Sequence, residues 1–363
     1  MAEEPYTWQE INSQPQIWRA TLEVFAIGRP ALGGFLETAG FDRVLAVGCG
    51  STHYLAQTAA TTLVYRTSVR ACALPASELW LHPGPFLTDQ TLLLAISRSG
   101  TTTETLRAVE RFREVCGGPV LAITCHPEST LAQQADFALV APDAQEHSVA
   151  QTRSFTSMLL LTQALTSVLA QEDDEKALER LRQLPDILED LVGRLGNLPQ
   201  GLGSDLDIER FFFLGGCMLH GLANEAMLKT KEMSLSYAEA YYPLEFRHGP
   251  MSMVNEHTLV IGFLSDTGLA EELHVLKDMR QLGARTLALV EDGPKHAAGG
   301  PHAAGGPFAD WRADHVIELR SGLDEWERGA LYLPAIHLMA FHRALAKGLN
   351  PDRPHNLEAV VKL

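Results

Sequence analysis

The sequence predicts an α/β protein of two tandem lobes, each a parallel sheet sandwiched by helices. Two observations support this fold class. Apolar runs of strand length alternate with helical patterns, and the same alternation recurs in the second half of the chain. The 363 residues are enough for two domains with separate cores. A hydrophobic content of 46% with 20% charged residues is ordinary globular composition.

The recurrence has a nearly constant spacing. RVLAVGCGSTHYLAQTA, from Arg43, and RFFFLGGCMLHGLANEA, from Arg210, each run from an apolar strand through glycines into an alanine-rich helix, 167 residues apart. TLLLAISRSG, from Thr91, and TLVIGFLSDTG, from Thr258, have the same separation. A third pair, PVLAIT and RTLALV, lies one residue off it. Three matching pairs at one offset indicate a tandem duplication.

Each repeated segment contains a strand pattern and a helix pattern of apolar residues. The continuous apolar runs predict strands buried on both faces, which is typical of a parallel sheet. Leu106, Val109 and Phe112 recur at helical spacing, and Thr101 with Glu104 forms a capping-box pattern before them. Strands alternating with such helices predict a doubly wound arrangement in each lobe.

Composition divides the chain further. Turn-forming residues in LGNLPQGLGSD place a boundary near residues 190–205, after one charged amphipathic helix in EDDEKALERLRQLPDILEDLVGRL. HAAGGPHAAGGP, residues 296–307, predicts a surface loop. The predicted order is a helical segment over 1–30, lobe one over 31–190, lobe two over 200–345 and a tail over 346–363 that covers the active site.

The charge balance restricts the partners. With 29 basic and 45 acidic residues, the net charge is −16, which argues against nonspecific nucleic-acid binding. MAEEPYTWQE has no signal-peptide pattern, and no apolar run is long enough to span a membrane. We therefore expect a cytoplasmic protein without a metal or other cofactor, its scattered cysteines buried as free thiols. These are Cys49, Cys72, Cys116, Cys125 and Cys217.

Two loops in lobe one have the composition of an anion site. GCGST, residues 48–52, and SRSGTTTE, residues 97–104, each follow a predicted strand and precede a predicted helix. Backbone amides and the positive end of the helix dipole favour an anion there. The alternative is that the hydroxyls are only helix caps. Two such loops favour a phosphate monoester site, and neither a dinucleotide motif nor a P-loop motif is present.

Lobe two has candidate acid–base residues instead. Glu225, Lys229 and Glu232 share one face of a predicted helix, and His248 follows in FRHGP. A solvated, salt-bridged surface helix is one interpretation of this spacing. The other is general acid–base chemistry, for which a carboxylate, an amine and an imidazole are suited.

These segments resemble a known family. SRSGTTTET resembles the serine-rich phosphate loop of sugar isomerase (SIS) domains, and most of the chain is similar to the isomerase half of glutamine–fructose-6-phosphate aminotransferases. The resemblance implies two flavodoxin-like SIS lobes, usually in a homodimer. The matching segments are GCGSTHYLA, SRSGTTTETL, SVAQTRSFTSMLLL, LGGCMLHGLANEAMLKTKEMSLSYAEAYYPLEFRHGP and NPDRPHNLEAVV.

The resemblance also implies roles. Glu232 matches the glutamate that moves a proton between C1 and C2, His248 matches the histidine that opens the sugar ring and can come from the partner subunit, and Lys229 has a supporting role. Arg98 replaces a glutamine and would add charge to the phosphate site. The implied substrate-binding residues are Gly50, Ser51, Thr52, Ser97, Arg98, Ser99, Thr102, Val149 and Gln151.

Two departures shape the expected activity. Met1 is followed by Ala2, so no glutaminase domain and no glutamine-derived ammonia are expected; the family's tail lysine falls on Ala359, with Lys362 three residues later. Among shortened relatives, we expect a deaminase/isomerase that converts glucosamine 6-phosphate to fructose 6-phosphate and ammonia.

Other activities stay open. An aldose–ketose isomerase and a deglycase of a fructosamine 6-phosphate are the alternatives within the family. A non-catalytic sugar-phosphate sensor is the alternative of another class. Glu232 and His248, and the lack of an appended DNA-binding motif, favour an enzyme.

Overall fold

The computed structural model describes residues 4–84, 87–88, 90–171, 174–292 and 313–358. The HAAGGP repeat, Ala359 and Lys362 lie outside the described residues. The chain divides into two units: unit 1 is Met1–Pro185 with Asn356–Leu363, and unit 2 is Asp186–His355.

Unit 1 contains a five-stranded parallel sheet in the order β2-β1-β3-β4-β5. This is the flavodoxin-like doubly wound order, whose switch point lies between β1 and β3. The strands are β1 (Arg43–Gly48), β2 (Arg70–Pro75), β3 (Thr91–Ile96), β4 (Val120–Thr124) and β5 (Phe137–Val140). The helices are α1 (Tyr6–Asn12), α2 (Gln14–Ala39), α3 (Ser51–Arg66), α4 (Ala76–Leu81), α5 (Thr103–Val115), α6 (Thr130–Gln134), α7 (Arg153–Leu169) and α8 (Asp174–Leu181).

Both faces of this sheet are buried, as the continuous apolar runs predict. Leu45 and Leu93 pack with Phe112 of α5 in one core cluster, and their chain neighbours on the opposite face are buried as well. On that opposite side α3 packs against α7, and α2 packs against α7. The Trp18 indole nitrogen donates to Thr156 at 2.9 Å, which fixes α2 on α7.

Unit 2 repeats the topology in the order β10-β9-β8-β6-β7, again all parallel. Its strands are β6 (Arg210–Gly215), β7 (Tyr237–Tyr241), β8 (Thr258–Phe263), β9 (Arg285–Val290) and β10 (His315–Glu318). Its helices are α9 (Leu184–Leu195), which starts two residues before the unit boundary, α10 (Leu198–Ser204), α11 (Leu219–Ser234), α12 (Leu269–Gln281) and α13 (Pro334–Ala346). The fold class expected from the sequence is confirmed for both units.

The start of α5 differs from the capping-box prediction. The helix begins at Thr103 with Thr102 as its N-cap, and that side chain makes no capping hydrogen bond. The Thr101 hydroxyl instead donates to Ser99 Oγ at 3.2 Å. The prediction for Thr101 and Glu104 was therefore wrong, because the hydroxyls of this loop bond to one another.

The segment predicted as one charged helix forms two helices, α8 and α9. The break falls at Arg182 and Gln183, and Pro185 then lies in the first turn of α9, where the missing amide N–H costs no helical hydrogen bond. The turn-rich stretch that follows contains α10, which begins with a proline in its first turn and packs on α13. A Cβ on Gly203 would lie 2.4 Å from the Met339 carbonyl oxygen, so glycine permits this close approach.

The N-terminal segment is helical beyond residue 30. α2 continues through Pro30 to Ala39, and Gly40 ends it in the left-handed conformation. No helix among the described residues is long and apolar enough to cross a membrane. All five cysteines are free, but only Cys125 is buried and Cys72 is exposed, so the expected burial of the thiols was wrong for most of them.

Candidate functional site

The loop between β3 and α5 holds a network of hydroxyl groups. The Ser97 and Thr102 hydroxyls lie 3.2 Å apart, and those of Ser99 and Thr102 lie 3.5 Å apart. Ser97 Oγ accepts from the Gly100 amide at 3.1 Å, and Ser99 Oγ accepts from the Thr101 amide at 3.2 Å. Ser97 is buried, whereas Ser99 and Thr102 are partly exposed. The loop thus presents hydroxyls at a helix N-terminus, where an anion is favoured.

The loop between β1 and α3 is tied by Thr52. Its hydroxyl accepts from the Cys49 amide at 2.9 Å and donates to the Cys49 carbonyl at 3.0 Å. Gly50 adopts a positive φ of 55° and is exposed, while Ser51 and Thr52 are buried. The two loops follow β1 and β3, the neighbouring strands at the switch point of unit 1, where doubly wound proteins bind their ligands.

Arg98 points toward another loop of unit 1. Its guanidinium donates to the Val149 carbonyl at 3.0 Å and the Ser148 carbonyl at 3.5 Å, and lies 3.6 Å from Glu146. The side chain is almost buried. The structure therefore places this charge against the 146–149 segment, with Glu146 as its partner; a direct contact of Arg98 with phosphate stays a prediction.

Glu146 holds the end of that segment. It accepts from the Thr152 amide at 2.7 Å, from the Thr152 hydroxyl at 2.8 Å and from the Ser154 hydroxyl. Val149 and Gln151 lie in between and are partly exposed. Gln151 Oε1 is buried and has no hydrogen-bond partner within the described part of the chain, so this amide oxygen is available to a ligand.

In unit 2, α11 brings the three predicted acid–base side chains together. Lys229 Nζ hydrogen-bonds Glu232 Oε2 and lies 3.5 Å from Glu225 Oε1. The Glu225 and Lys229 side chains are buried, and that of Glu232 is 19% exposed. The solvated surface helix is thereby excluded for this face. A buried ammonium holds a carboxylate that solvent can still reach.

Sequence reasoning missed His337, which is fully buried on α13. Neither ring nitrogen has a hydrogen-bond partner among the residues that the structure describes. Burial, together with the positive charge of Lys229, lowers the pKa of His337 to about 3. The imidazole is therefore neutral beside the lysine. A lone histidine in the apolar pattern PAIHLMAF gave no signal of this placement.

We expect this buried imidazole to make unit 2 less stable in mild acid. Because the pKa of His337 is lower in the folded chain than the ordinary 6.5, the unfolded chain binds the extra proton as pH falls below 6.5. From pH 7 to pH 5, His337 should remove about 2 kcal/mol from the free energy of unfolding. Urea unfolding of wild type and His337→Gln at pH 7 and pH 5 measures this change in the free energy of unfolding.

The exposed His274 on α12 gives the matched control. His274→Gln should keep the wild-type loss of stability between pH 7 and pH 5, whereas His337→Gln should lose about 2 kcal/mol less. Equal pH dependence in wild type and His337→Gln would show that His337 is not held neutral.

His248, the remaining predicted acid–base residue, lies in the segment after β7. It follows a short 3-10 turn, Glu245–Arg247, and is exposed. Its backbone amide donates to the Glu245 carbonyl at 2.9 Å. No hydrogen bond or ion pair joins it to Glu225, Lys229 or Glu232 within the described residues. Its implied role in ring opening stays a prediction.

In the loop after β8 in unit 2, a glutamate of the following helix accepts hydrogen bonds from the loop. Glu272 of α12 accepts from the Ser265 amide at 2.7 Å and from the Ser265 hydroxyl at 2.9 Å. The Gly268 amide donates to Ser265 Oγ at 2.9 Å. Burial raises the pKa of Glu272. The Glu272 carboxylate thus takes the amide and hydroxyl donors of Ser265, in contrast to the hydroxyl-rich loop after β3 in unit 1.

Fold and site together define the class: a protein of two flavodoxin-like units, with hydroxyl-lined loops at the switch point of unit 1 and a buried lysine–carboxylate cluster on α11 of unit 2. The chain belongs to the SIS domain family, whose model matches residues 39–168 and 206–299.

Three relatives illustrate what the chain is similar to. The chain is 27% identical to glutamine–fructose-6-phosphate aminotransferase (isomerizing) of Chlamydia trachomatis, over 97% of this chain and 57% of that protein. It is 29% identical to D-galactosamine-6-phosphate deaminase of Escherichia coli, over 96% of this chain and 91% of that protein. The crystal structure of glucosamine-6-phosphate deaminase from Thermotoga maritima superposes with a TM-score of 0.77 and 28% identity, covering 99% of this chain and 100% of that one.

The coverage differs between these relatives. The chain spans little more than half of the aminotransferases, 57% of the Chlamydia trachomatis protein, but nearly all of the two deaminases. The expected similarity to the isomerase half of the aminotransferases is therefore confirmed.

Proposed function

We propose that this protein is an enzyme that acts at the C1–C2 end of a hexose 6-phosphate, and that it deaminates and isomerises an amino-sugar 6-phosphate such as glucosamine 6-phosphate. The observation that carries the proposal is the pairing of Lys229 with Glu232 on α11. A buried ammonium fixes a carboxylate that remains 19% exposed. Sugar-phosphate binding alone does not require such a group, whereas proton transfer at carbon requires a positioned base.

The loops of unit 1 support the choice of a phosphate. Ser99 and Thr102 are partly exposed hydroxyls at the N-terminus of α5, and the exposed Gly50 gives an anion access to the backbone of the β1–α3 loop. The chain as a whole carries a net charge of −16, so local donors have to bind the anion. The anionic end of the substrate is therefore assigned to these loops.

The chemistry assigned to Glu232 is a proton transfer between neighbouring carbons. In the open-chain amino sugar, the carboxylate removes the C2 proton, and the C2–H electron pair forms a C1–C2 double bond as the aldehyde electrons move to O1. O1 takes up a proton, Glu232 delivers a proton to C1, and the amine nitrogen loses one proton, which leaves a C2 imine beside a C1 hydroxyl. Water adds to this imine and ammonia leaves, which yields the 2-ketose phosphate. Lys229 orients the carboxylate through the reaction.

Ring opening must come before this step, and we assign it to His248. An imidazole exchanges protons near neutral pH, as a shuttle between the ring oxygen and O1 requires. The exposure of His248 is compatible with a role beside a partner subunit in a homodimer. The homodimer and a cytoplasmic location are part of the same proposal.

Two other reactions use the same proton transfer. An aldose–ketose isomerase moves the proton in a sugar with a C2 hydroxyl, and a deglycase starts from a fructosamine 6-phosphate. The two deaminases, of which the chain covers 91% and 100%, support deamination. A tagatose-6-phosphate ketose/aldose isomerase of Escherichia coli, of which the chain covers 95% at 27% identity, keeps the isomerase as the alternative. A sensor from another functional class would keep the loops of unit 1 without needing the Lys229–Glu232 pair.

An NMR time course with glucosamine 6-phosphate tests the proposal. We expect fructose 6-phosphate and ammonia to appear in equal amounts. Parallel time courses use galactosamine 6-phosphate, tagatose 6-phosphate and a fructosamine 6-phosphate. They show which C2 substituent and which configuration at C4 the enzyme prefers in its substrate. Binding of these sugars, seen as shifted ligand signals, without conversion of any of them would refute the enzyme and support the sensor.

A further inference from the structure

The segment 146–151 of unit 1 has no regular secondary structure, so side-chain hydrogen bonds must hold it. It lies between a short 3-10 turn, Pro142–Ala144, and the start of α7 at Arg153. Ser148 is buried within it. Buried backbone groups need hydrogen-bond partners, and a loop that lacks them does not keep one conformation.

Glu10 of α1 supplies these partners from the N-terminal side. Its side chain is 2% exposed. Oε1 accepts from the His147 amide at 2.5 Å and from the Ser148 amide at 3.2 Å, and Oε2 accepts from the Ser148 hydroxyl. Hydrogen bonds to an ionised carboxylate are roughly twice as strong as those between neutral groups. One side chain therefore fixes two consecutive amides and a hydroxyl of this segment.

Arg98 completes the arrangement from the hydroxyl-rich loop. It donates to the carbonyls of Ser148 and Val149, so Ser148 is held at its amide by Glu10 and at its carbonyl by Arg98. The segment is thereby joined to the loop assigned to the phosphate. The buried, unpartnered Gln151 Oε1 lies two residues beyond these anchors.

We propose that Glu10 is a positioning residue for sugar recognition: it fixes segment 146–151 so that Gln151 Oε1 accepts a hydrogen bond from a sugar hydroxyl. This inference rests on the proposed function, because it takes the ligand to be a sugar phosphate. It also extends the site to α1, which lies before residue 39, where the match to the family model begins. Glu10 touches the segment and not the substrate.

The variant Glu10→Gln tests this role. Glutamine keeps the size of the side chain but replaces one acceptor oxygen with an amino group, which cannot accept from the donors of His147 and Ser148. We expect the Kd for the hexose 6-phosphate to rise about tenfold. The Kd for inorganic phosphate, which lacks the sugar, should stay within about twofold. In turnover, KM should rise with little change in kcat, as for a lost binding interaction.

Hydrogen–deuterium exchange provides a readout without substrate. Amide exchange at 147–151 should speed up about tenfold or more in Glu10→Gln, while exchange in β1 and β3 stays at the wild-type rate. Glu37 is an exposed glutamate on α2, and Glu37→Gln is the matched control. It should change neither the Kd for the hexose 6-phosphate nor the amide exchange rate at 147–151. If Glu10→Gln does not fold, Ser148→Ala removes only the hydroxyl contact and should show the same pattern with a smaller amplitude.

The outcomes separate this inference from the proposed function. Equal weakening of sugar phosphate and inorganic phosphate, or no weakening of either, would overturn the role of Glu10. If wild type binds inorganic phosphate but none of the sugar phosphates, the proposed function fails. The exchange data then decide whether Glu10 holds the segment: faster exchange confined to 147–151 supports it, and unchanged exchange overturns it.

Discussion

Replacement of Glu232 by glutamine should lower kcat about a thousandfold and leave the Kd for the sugar phosphate within about threefold. The amide has nearly the same shape and can still lie beside Lys229, but it cannot take up a proton from carbon. General acid–base catalysis by one positioned group contributes about 10²- to 10⁴-fold, which sets the size of the expected loss. Turnover assays give kcat, and isothermal titration calorimetry gives Kd.

Glu271→Gln is the matched control for this substitution. Glu271 is an exposed carboxylate in the first turn of α12, in the same unit, so its variant should keep wild-type kcat. A Glu232→Gln protein that turns over at more than a tenth of the wild-type rate would exclude Glu232 as the group that moves the proton.

The second large effect should come from Gly100→Ala in the hydroxyl-rich loop. Gly100 has a φ of 61°, in the left-handed region that favours glycine, and an added Cβ would lie 2.1 Å from Ser129 Oγ and 2.4 Å from Ser129 Cβ. The clash must displace either the loop or the start of α6. We expect the Kd for inorganic phosphate to rise about thirtyfold or more. The free energy of unfolding should fall by about 2–4 kcal/mol.

Gly117→Ala separates backbone strain from the clash. Gly117 has a similar φ of 63°, but the nearest atom to its added Cβ, the Arg113 carbonyl oxygen, lies 3.9 Å away. This variant should lose about 1 kcal/mol of stability and keep its phosphate affinity. Ser99→Ala, which removes one hydroxyl without a clash, should weaken phosphate binding less than Gly100→Ala. Unchanged phosphate affinity in Gly100→Ala would remove this loop from the site.

The sheet architecture was predictable because burial on both faces produces continuous apolar runs. Both sheets have the predicted parallel arrangement, with β1 and β6, and β3 and β8, starting 167 residues apart. Two of the errors lie where contacts that leave no periodic pattern in the sequence decide the backbone. At the start of α5 the hydroxyls bond to one another, and α10 forms in a glycine-rich stretch because α13 lies against it.

The candidate site was predictable in part. Hydroxyl loops after β1 and β3 and the i, i+4, i+7 spacing on α11 are visible in the sequence, because each depends on neighbours along the chain. Glu10 and His337 are not, because their contacts join distant parts of the chain: Glu10 meets Ser148, and His337 lies near Lys229. Periodicity cannot distinguish such buried polar groups from exposed ones.

Solvent hydrogen exchange into the sugar tests the central claim most directly. The protein is incubated in D₂O with glucosamine 6-phosphate, and the C1 and C2 proton signals of substrate and product are followed by NMR. Because solvent can reach the Glu232 carboxylate, the proton that it takes from C2 exchanges with D₂O before C1 is protonated. We predict deuterium at C1 of the fructose 6-phosphate formed, and no exchange with the Glu232→Gln variant. A wild-type protein that binds the sugar phosphate but neither forms fructose 6-phosphate nor exchanges carbon-bound hydrogen would contradict the account.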